Sequence, residues 1–314
     1  MITYESFLKK YINNNKYNPL LELITKSDDY TITDISFNEE KKAIRFYTMI
    51  NSRDKSESYN LLLDLLNQIP DQTKTVKTRS LTHNIIFHEK NNQPHFIRIS
   101  HFSLEIRADY IVLKPYFTID QNETISDDQM KFRCLKILFE PLKSKFMTKF
   151  LAGEVWRKFH IQFGYNILNN NITSQKLYCE IPGEKITGEN LFKLNNEIKN
   201  LYLYSNYKEE AENFISRFNK IIPIVSESGF SSHLFSLETS IEENHFRHYF
   251  TPDKKDKDNL LLYQNLYENG FILRDQYENL YQDAKEKMDF GFNIYDVGLT
   301  FKNNKLRITN TYDI

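Results

Sequence analysis

Hydrophobic and polar residues alternate along short stretches of this chain, and the stretches come in pairs across turn-forming residues. Tyr30 to Asn38 and Lys42 to Ile50 flank Asn38-Glu39-Glu40-Lys41, a pattern that predicts a β-hairpin. Four more pairs follow: Phe102 to Arg107 with Val112 to Ile119, Phe159 to Ile167 with Gln175 to Ile181, Leu234 to Ser240 with His245 to Phe250, and Asn293 to Phe301 with Lys305 to Thr311. Between them lie stretches of helical period: Tyr4 to Leu23, Glu57 to Ile69, Gln129 to Phe150, Gly188 to Leu203, Lys208 to Ile221, Asn259 to Asn269 and Arg274 to Lys287. His83 to Ser100 fits either an extra hairpin or a poorly marked helix.

Strand side chains alternate between faces, so each stretch sorts its residues into two sets. One face collects Ile35, Phe37, Ile44, Phe46, Leu104, Ile106, Leu113, Phe117, Leu177, Ile181, Phe235, Leu237, Leu306 and Ile308, and needs helices over it. The other carries a recurring signature, a cation two places before a Tyr or Thr: Arg45 with Tyr47, Lys114 with Tyr116, Lys176 with Tyr178, Arg247 with Tyr249, and Arg307 with Thr309. The five copies recur every 60 to 71 residues, too long for the common solenoids and suited to a closed ring of supersecondary units. Five hairpins give ten strands; since about eight fill a barrel interior with side chains, ten leave a cavity. The expected fold is α/β: a ten-stranded antiparallel barrel of five αββα repeats, helices outside, in one domain spanning residues 1 to 314.

Composition narrows the partners. The 314 residues are 40% hydrophobic and 26% charged with a formal net charge of -1, a globular chain without a global field for nucleic acid or an anionic membrane. The first residues lack the apolar core of a signal peptide, and no apolar run approaches the ~20 residues that span a bilayer. A soluble, cytoplasmic monomer is expected. Cys134 and Cys179 read as reduced, half-buried apolar residues, and His83, His88, His95 and His101 as solvated loop residues whose spacing is not that of metal ligands.

Several of these stretches resemble the aromatic prenyltransferases of the ABBA barrel type, and more closely the cyanobactin prenyltransferases that modify ribosomal macrocyclic peptides. The resemblance lies in Lys41 to Ile50, in Leu104-Glu105-Ile106-Arg107 with Leu113 to Ile119, in Leu177-Tyr178-Cys179-Glu180-Ile181 and in Asn304 to Ile308, while Val297-Gly298-Leu299-Thr300-Phe301 resembles the small-molecule branch. A chain ending on its last strand suits the peptide-acting branch. The resemblance implies transfer of a dimethylallyl or geranyl group from its diphosphate, with Mg2+ bound through that diphosphate, to a Tyr, Trp, Arg, Ser or Thr side chain of a macrocyclic peptide. It also implies a catalytic Glu on the first strand, where this chain has Asp34.

Such chemistry needs cations for the leaving group and a dry, π-rich wall for a carbocation. Arg45, Lys114, Lys176, Arg247 and Arg307 would hold the diphosphate through charge-assisted hydrogen bonds. Tyr47, Tyr116, Tyr178 and Tyr249 would shield the cation, at roughly 0.5 to 2 kcal/mol per ring. Asp34, or else Glu105 or Glu238, would orient the acceptor and take its proton. Against this stands a plain salt-bridge ladder, although Asp34, Glu105, Glu180 and Glu238 are too few for six inward cations once Arg107 is counted. The same residue pattern also suits a small-molecule prenyltransferase of this fold, or a non-catalytic binder of anions or single-stranded nucleic acid.

Overall fold

In a computed structural model the alternating stretches form strands and the 3.6-period stretches form helices wherever the structure describes them, residues 4–14 and 142–150 of the expected helices lying outside the described residues. It describes residues 15–38, 43–71, 75–87, 97–107, 111–119, 128–141, 151–152, 155–158, 160–168, 171–180, 187–202, 208–228, 230–240, 244–252, 258–302 and 305–313. In chain order the elements are α1 (Asn18–Lys26), β1 (Tyr30–Asn38), β2 (Ala43–Ile50), α2 (Lys55–Asn67), α3 (Val76–Ile86), β3 (Ile97–Ile106), β4 (Ile111–Ile119), α4 (Asp128–Phe139), β5 (His160–Leu168) and β6 (Asn171–Glu180). They continue with α5 (Gly188–Tyr202), α6 (Lys208–Glu227), β7 (Phe230–Ser240), β8 (Asn244–Pro252), α7 (Asp258–Glu268), α8 (Arg274–Asp289), β9 (Asn293–Lys302) and β10 (Lys305–Asp313). The class is α/β: curled antiparallel sheet with helices on one face. The chain divides into two compact units, Met1–Met147 with Ile161–Leu177 and Thr239–Glu242, and Thr148–His160 with Tyr178–Glu238 and Glu243–Ile314.

In the first unit β1 to β6 are neighbours in sequence order. The registers Ile35/Phe46, Phe46/Leu104 and Leu104/Leu113 line up one apolar row, every member of it buried. Helices α1, α2 and α3 cover this side, and the Tyr30 hydroxyl donates to the Leu61 carbonyl of α2 at 2.7 Å. Helix α2 starts where the sequence supplies a cap: the Asp54 carboxylate accepts the Glu57 N–H at 2.8 Å, an interaction worth about 1 kcal/mol. Over β5, the α4 ring of Phe139 lies 5.1 Å from Phe163, and the Tyr165 hydroxyl donates to the Leu138 carbonyl.

The second unit places β7, β8, β9 and β10 side by side. Helix α6 lays Phe214 and Phe218 flat on His248, with centroids 5.4 and 3.8 Å away. Burial of Ile221, Ile222, Ile224 and Val225 carries this helix through Pro223 to Glu227, past the Ile221 that periodicity suggests as its end. Helices α7 and α8 stop at Gly270 and Gly291, whose φ of 74° and 91° lets the chain turn without a Cβ penalty. Strand β10 is tied to these helices: Tyr263 donates to Asn310 at 2.6 Å, and Asp283 accepts both from the Tyr312 hydroxyl at 3.0 Å and from the fully buried Lys287.

Three expectations change. The His83 to Ser100 segment contains the end of α3 and the start of β3, with residues 88–96, and so His88 and His95, outside the described residues. His101 is a strand residue rather than a loop residue. Both cysteines are buried rather than half-buried, and neither is in a disulfide among the described residues. No helix among the described residues is long and apolar enough to cross a membrane.

Removing the Asp283 carboxylate strips the buried Lys287 ammonium and the Tyr312 hydroxyl of a shared acceptor. Asp283→Ala is therefore expected to cost about 2 to 3 kcal/mol in urea unfolding. Glu278→Ala, which breaks the exposed Arg274–Glu278 pair, should stay within about 0.5 kcal/mol.

Candidate functional site

Strand β2 turns Arg45 and Tyr47 away from the buried Phe46, and β3 sets Glu105 across from Arg45 and Ser103 across from Tyr47. Asp34 of β1 stands opposite Tyr47, and Lys114 of β4 opposite Ser103, so one cross-strand row reads Asp34, Tyr47, Ser103, Lys114. The next row reads Met49, His101, Tyr116, Gly164. Lys176 of β6 shares the face of Ser174, whose Oγ accepts from Asn166 Nδ2. In the first unit the structure thus brings together Asp34, Arg45, Tyr47, Glu105, Lys114, Tyr116 and Lys176.

Glu105 organises the charge. One of its carboxylate oxygens accepts from Arg45, and the other from Arg107, whose Nε lies at 2.6 Å. Burial alone would raise this carboxyl; Arg45 outweighs it, with Lys114 and the Arg107 hydrogen bond adding, and the group is pushed down to about 2. So strong an acid is a poor proton acceptor, and Glu105 serves as a counter-ion instead of a base. Arg45 does pair with an acid, as a salt-bridge ladder requires, but it shares that acid. On this face the described residues of β1 to β6 present Arg45, Arg98, Arg107, Lys114 and Lys176 against Asp34 and Glu105. Among these described residues cations outnumber acids, and Lys114 and Lys176 are only 8% exposed.

Two donors here lack an acceptor among the described residues: the buried Arg45 Nε and the Oγ of fully buried Ser103. Buried donors normally find partners, so the pair marks a place for an oxygen-bearing ligand or water. The Arg45 Nη1 donates to the Tyr47 hydroxyl at 3.2 Å, with the guanidinium carbon 5.9 Å from the ring centroid.

The same device recurs in the second unit. Arg247 Nη1 donates to the Tyr249 hydroxyl at 3.3 Å, with the guanidinium 5.7 Å from the ring. Tyr178 stands 6.3 Å from Tyr249 between centroids. Gly298 lets this cluster close: a Cβ there would lie 2.7 Å from Thr309 Oγ1, 3.0 Å from Arg247 Cδ and 3.1 Å from Tyr249 Cε1. Arg307 and Thr309 are exposed. Glu238 lies in β7, its side chain outside the described residues.

Sequence reading missed Arg98, His101, Ser103, Gly164, Gly298 and Asp296. A bulge between Ile99 and His101 resets the alternation and turns His101 onto the polar face, where its ring stacks on Tyr116 at 4.4 Å. Burial, with Arg98 adding, pushes the imidazole down to about 4, so it is neutral at pH 7. Tyr116 is held from a second side, since a Cβ on Gly164 would sit 2.7 Å from its ring. One face of the Tyr116 ring is therefore already taken by His101.

Compared with known proteins, the sequence matches no family model and no curated protein.

The Glu105 carboxyl goes from its ordinary 4.5 in the unfolded chain to about 2 in the folded one. Its contribution is full above pH 4.5 and fades as pH falls through 2. About 3 kcal/mol of stability should disappear over that window in acid unfolding, and Glu105→Gln should flatten the slope there. A slope unchanged in the variant would contradict the ion-pair assignment. Gly164→Ala should displace the Tyr116 ring at a cost of about 1 to 3 kcal/mol, visible as lost near-UV dichroism.

Proposed function

We propose that this chain is a peptide prenyltransferase of the ABBA barrel type, moving a dimethylallyl or geranyl group from its diphosphate to a nucleophilic side chain of a macrocyclic peptide. In this reading the strands close into a ten-stranded barrel. The observation that carries it is the duplicated arginine and tyrosine clamp: Arg45 with Tyr47 and Arg247 with Tyr249, hydrogen-bonded at 3.2 and 3.3 Å on strand faces turned from the apolar core. A guanidinium that also holds a phenol binds a phosphate oxygen beside a ring, which joins leaving-group capture to carbocation shielding.

The geometry of each unit supports a role for each residue. Arg45, Lys114 and Lys176 supply the excess charge that a diphosphate needs, and the unpartnered Arg45 Nε and Ser103 Oγ offer further donors. Glu105 holds Arg45 and Arg107 in place. With both its oxygens engaged it does not suit a metal, so Mg2+ would arrive with the diphosphate as part of the substrate and neutralise charge on the leaving group. Tyr47, Tyr178 and Tyr249 keep ring surface for an allylic cation, and Tyr116 serves chiefly as packing for His101.

Incubating the protein with Mg2+, dimethylallyl or geranyl diphosphate and a panel of cyclic peptides should give mass increments of one prenyl group. Arg45→Gln should abolish them while the protein stays folded. No increment with either donor, or tight retention on heparin without diphosphate binding, would contradict the proposal and favour a nucleic-acid binder.

A further inference from the structure

Facing the same side as Arg247 and Tyr249 in the second unit is an acid that has no part in the cation signature. Asp296 of β9 alternates with Gly298 and Thr300, and its Oδ1 accepts from Thr251 Oγ1 of β8 at 2.5 Å. Across the ladder Asp296 pairs with Thr311 of β10. Thr311 is 8% exposed, and its Oγ1 has no hydrogen-bond partner among the described residues. Three rows thus cross this sheet: Thr251, Asp296 and Thr311; then Tyr249, Gly298 and Thr309; then Arg247, Thr300 and Arg307.

The rows are chemically graded. Asp296 and Thr300 are four residues apart on one strand, about 13 Å between their Cα atoms. Along the strands the carboxylate row comes first and the arginine row last, and in the row between them the space over Gly298 is taken by Thr309 Oγ1, Arg247 Cδ and the edge of the Tyr249 ring. Displacement at an allylic carbon asks for this polarity. The leaving group departs on one side, the nucleophile approaches within about 3.5 Å on the other, and a base waits about 3 Å beyond the nucleophile.

We infer that Asp296, aided by Thr251 and Thr311, is the group that receives the acceptor's proton, the acceptor being an O–H, N–H or aromatic C–H of a peptide side chain. The inference rests on the prenyl-transfer reading above. In the step, the bond between prenyl C1 and the diphosphate oxygen breaks with its electron pair leaving on the diphosphate. The acceptor atom bonds to the prenyl carbon, and its proton passes to the Asp296 carboxylate and then to water. Thr251 fixes one carboxylate oxygen, and the unpartnered Thr311 hydroxyl is placed to hydrogen-bond the incoming acceptor. Glu105 cannot take this role, since two guanidiniums occupy its oxygens.

The test uses the full chain, dimethylallyl diphosphate and the cyclic-peptide panel, with inorganic pyrophosphate binding as the second readout. Asp296→Asn is expected to lower kcat about 10²- to 10³-fold, remove the acid limb of the kcat/KM profile and leave pyrophosphate affinity within about twofold. Asp296→Glu should recover part of kcat. Thr311→Val should raise KM for the peptide severalfold with little change in kcat. An Asp296→Asn enzyme with unchanged kcat and acid limb, or the same losses falling on Asp34→Asn instead, overturns this inference alone. A native protein that binds pyrophosphate but transfers no prenyl group overturns the prenyl-transfer reading and this inference together.

Discussion

A single buried carboxylate shared by two guanidiniums sets the character of the first unit. Burial raises the Glu105 carboxyl, yet Arg45 and Arg107 keep it ionised. Shared between two arginines, this one carboxylate ties β2 to β3 and holds both guanidiniums in place.

Much of this was legible in the sequence because alternation with period 2 is a direct record of which side chains meet the helices. Strand β1 begins and ends where the pattern places it, and the set Ile35, Phe46, Leu104 and Leu113 is buried as the pattern requires. Reading fails where geometry breaks the period. The bulge before His101 hides the first half of β3, which starts at Ile97 and not at Phe102. Proline is a poor stop signal in α6 because buried isoleucines on both sides hold the helix together. Close approaches such as Tyr116 over Gly164 depend on which strands become neighbours, a fact that no local pattern encodes. The acids were the least legible of the site residues, since proximity in sequence says nothing about how many cations a carboxylate must serve.

The two glycines show how the polar faces are shaped. At Gly164 the place of the absent Cβ is taken by the Tyr116 ring of the neighbouring strand, and at Gly298 by Thr309 Oγ1, Arg247 Cδ and the Tyr249 ring edge. Across the sheet Gly298 stands in the row between those of Arg247 and Asp296.

The proposed function requires that the cationic strand faces hold a diphosphate. Isothermal titration of the native chain with dimethylallyl diphosphate and Mg2+ measures this most directly. Saturable binding that disappears in Arg45→Gln, while the variant unfolds as cooperatively as the native protein, is the predicted result. Failure of the native chain to bind, or undiminished binding in the variant, would contradict it.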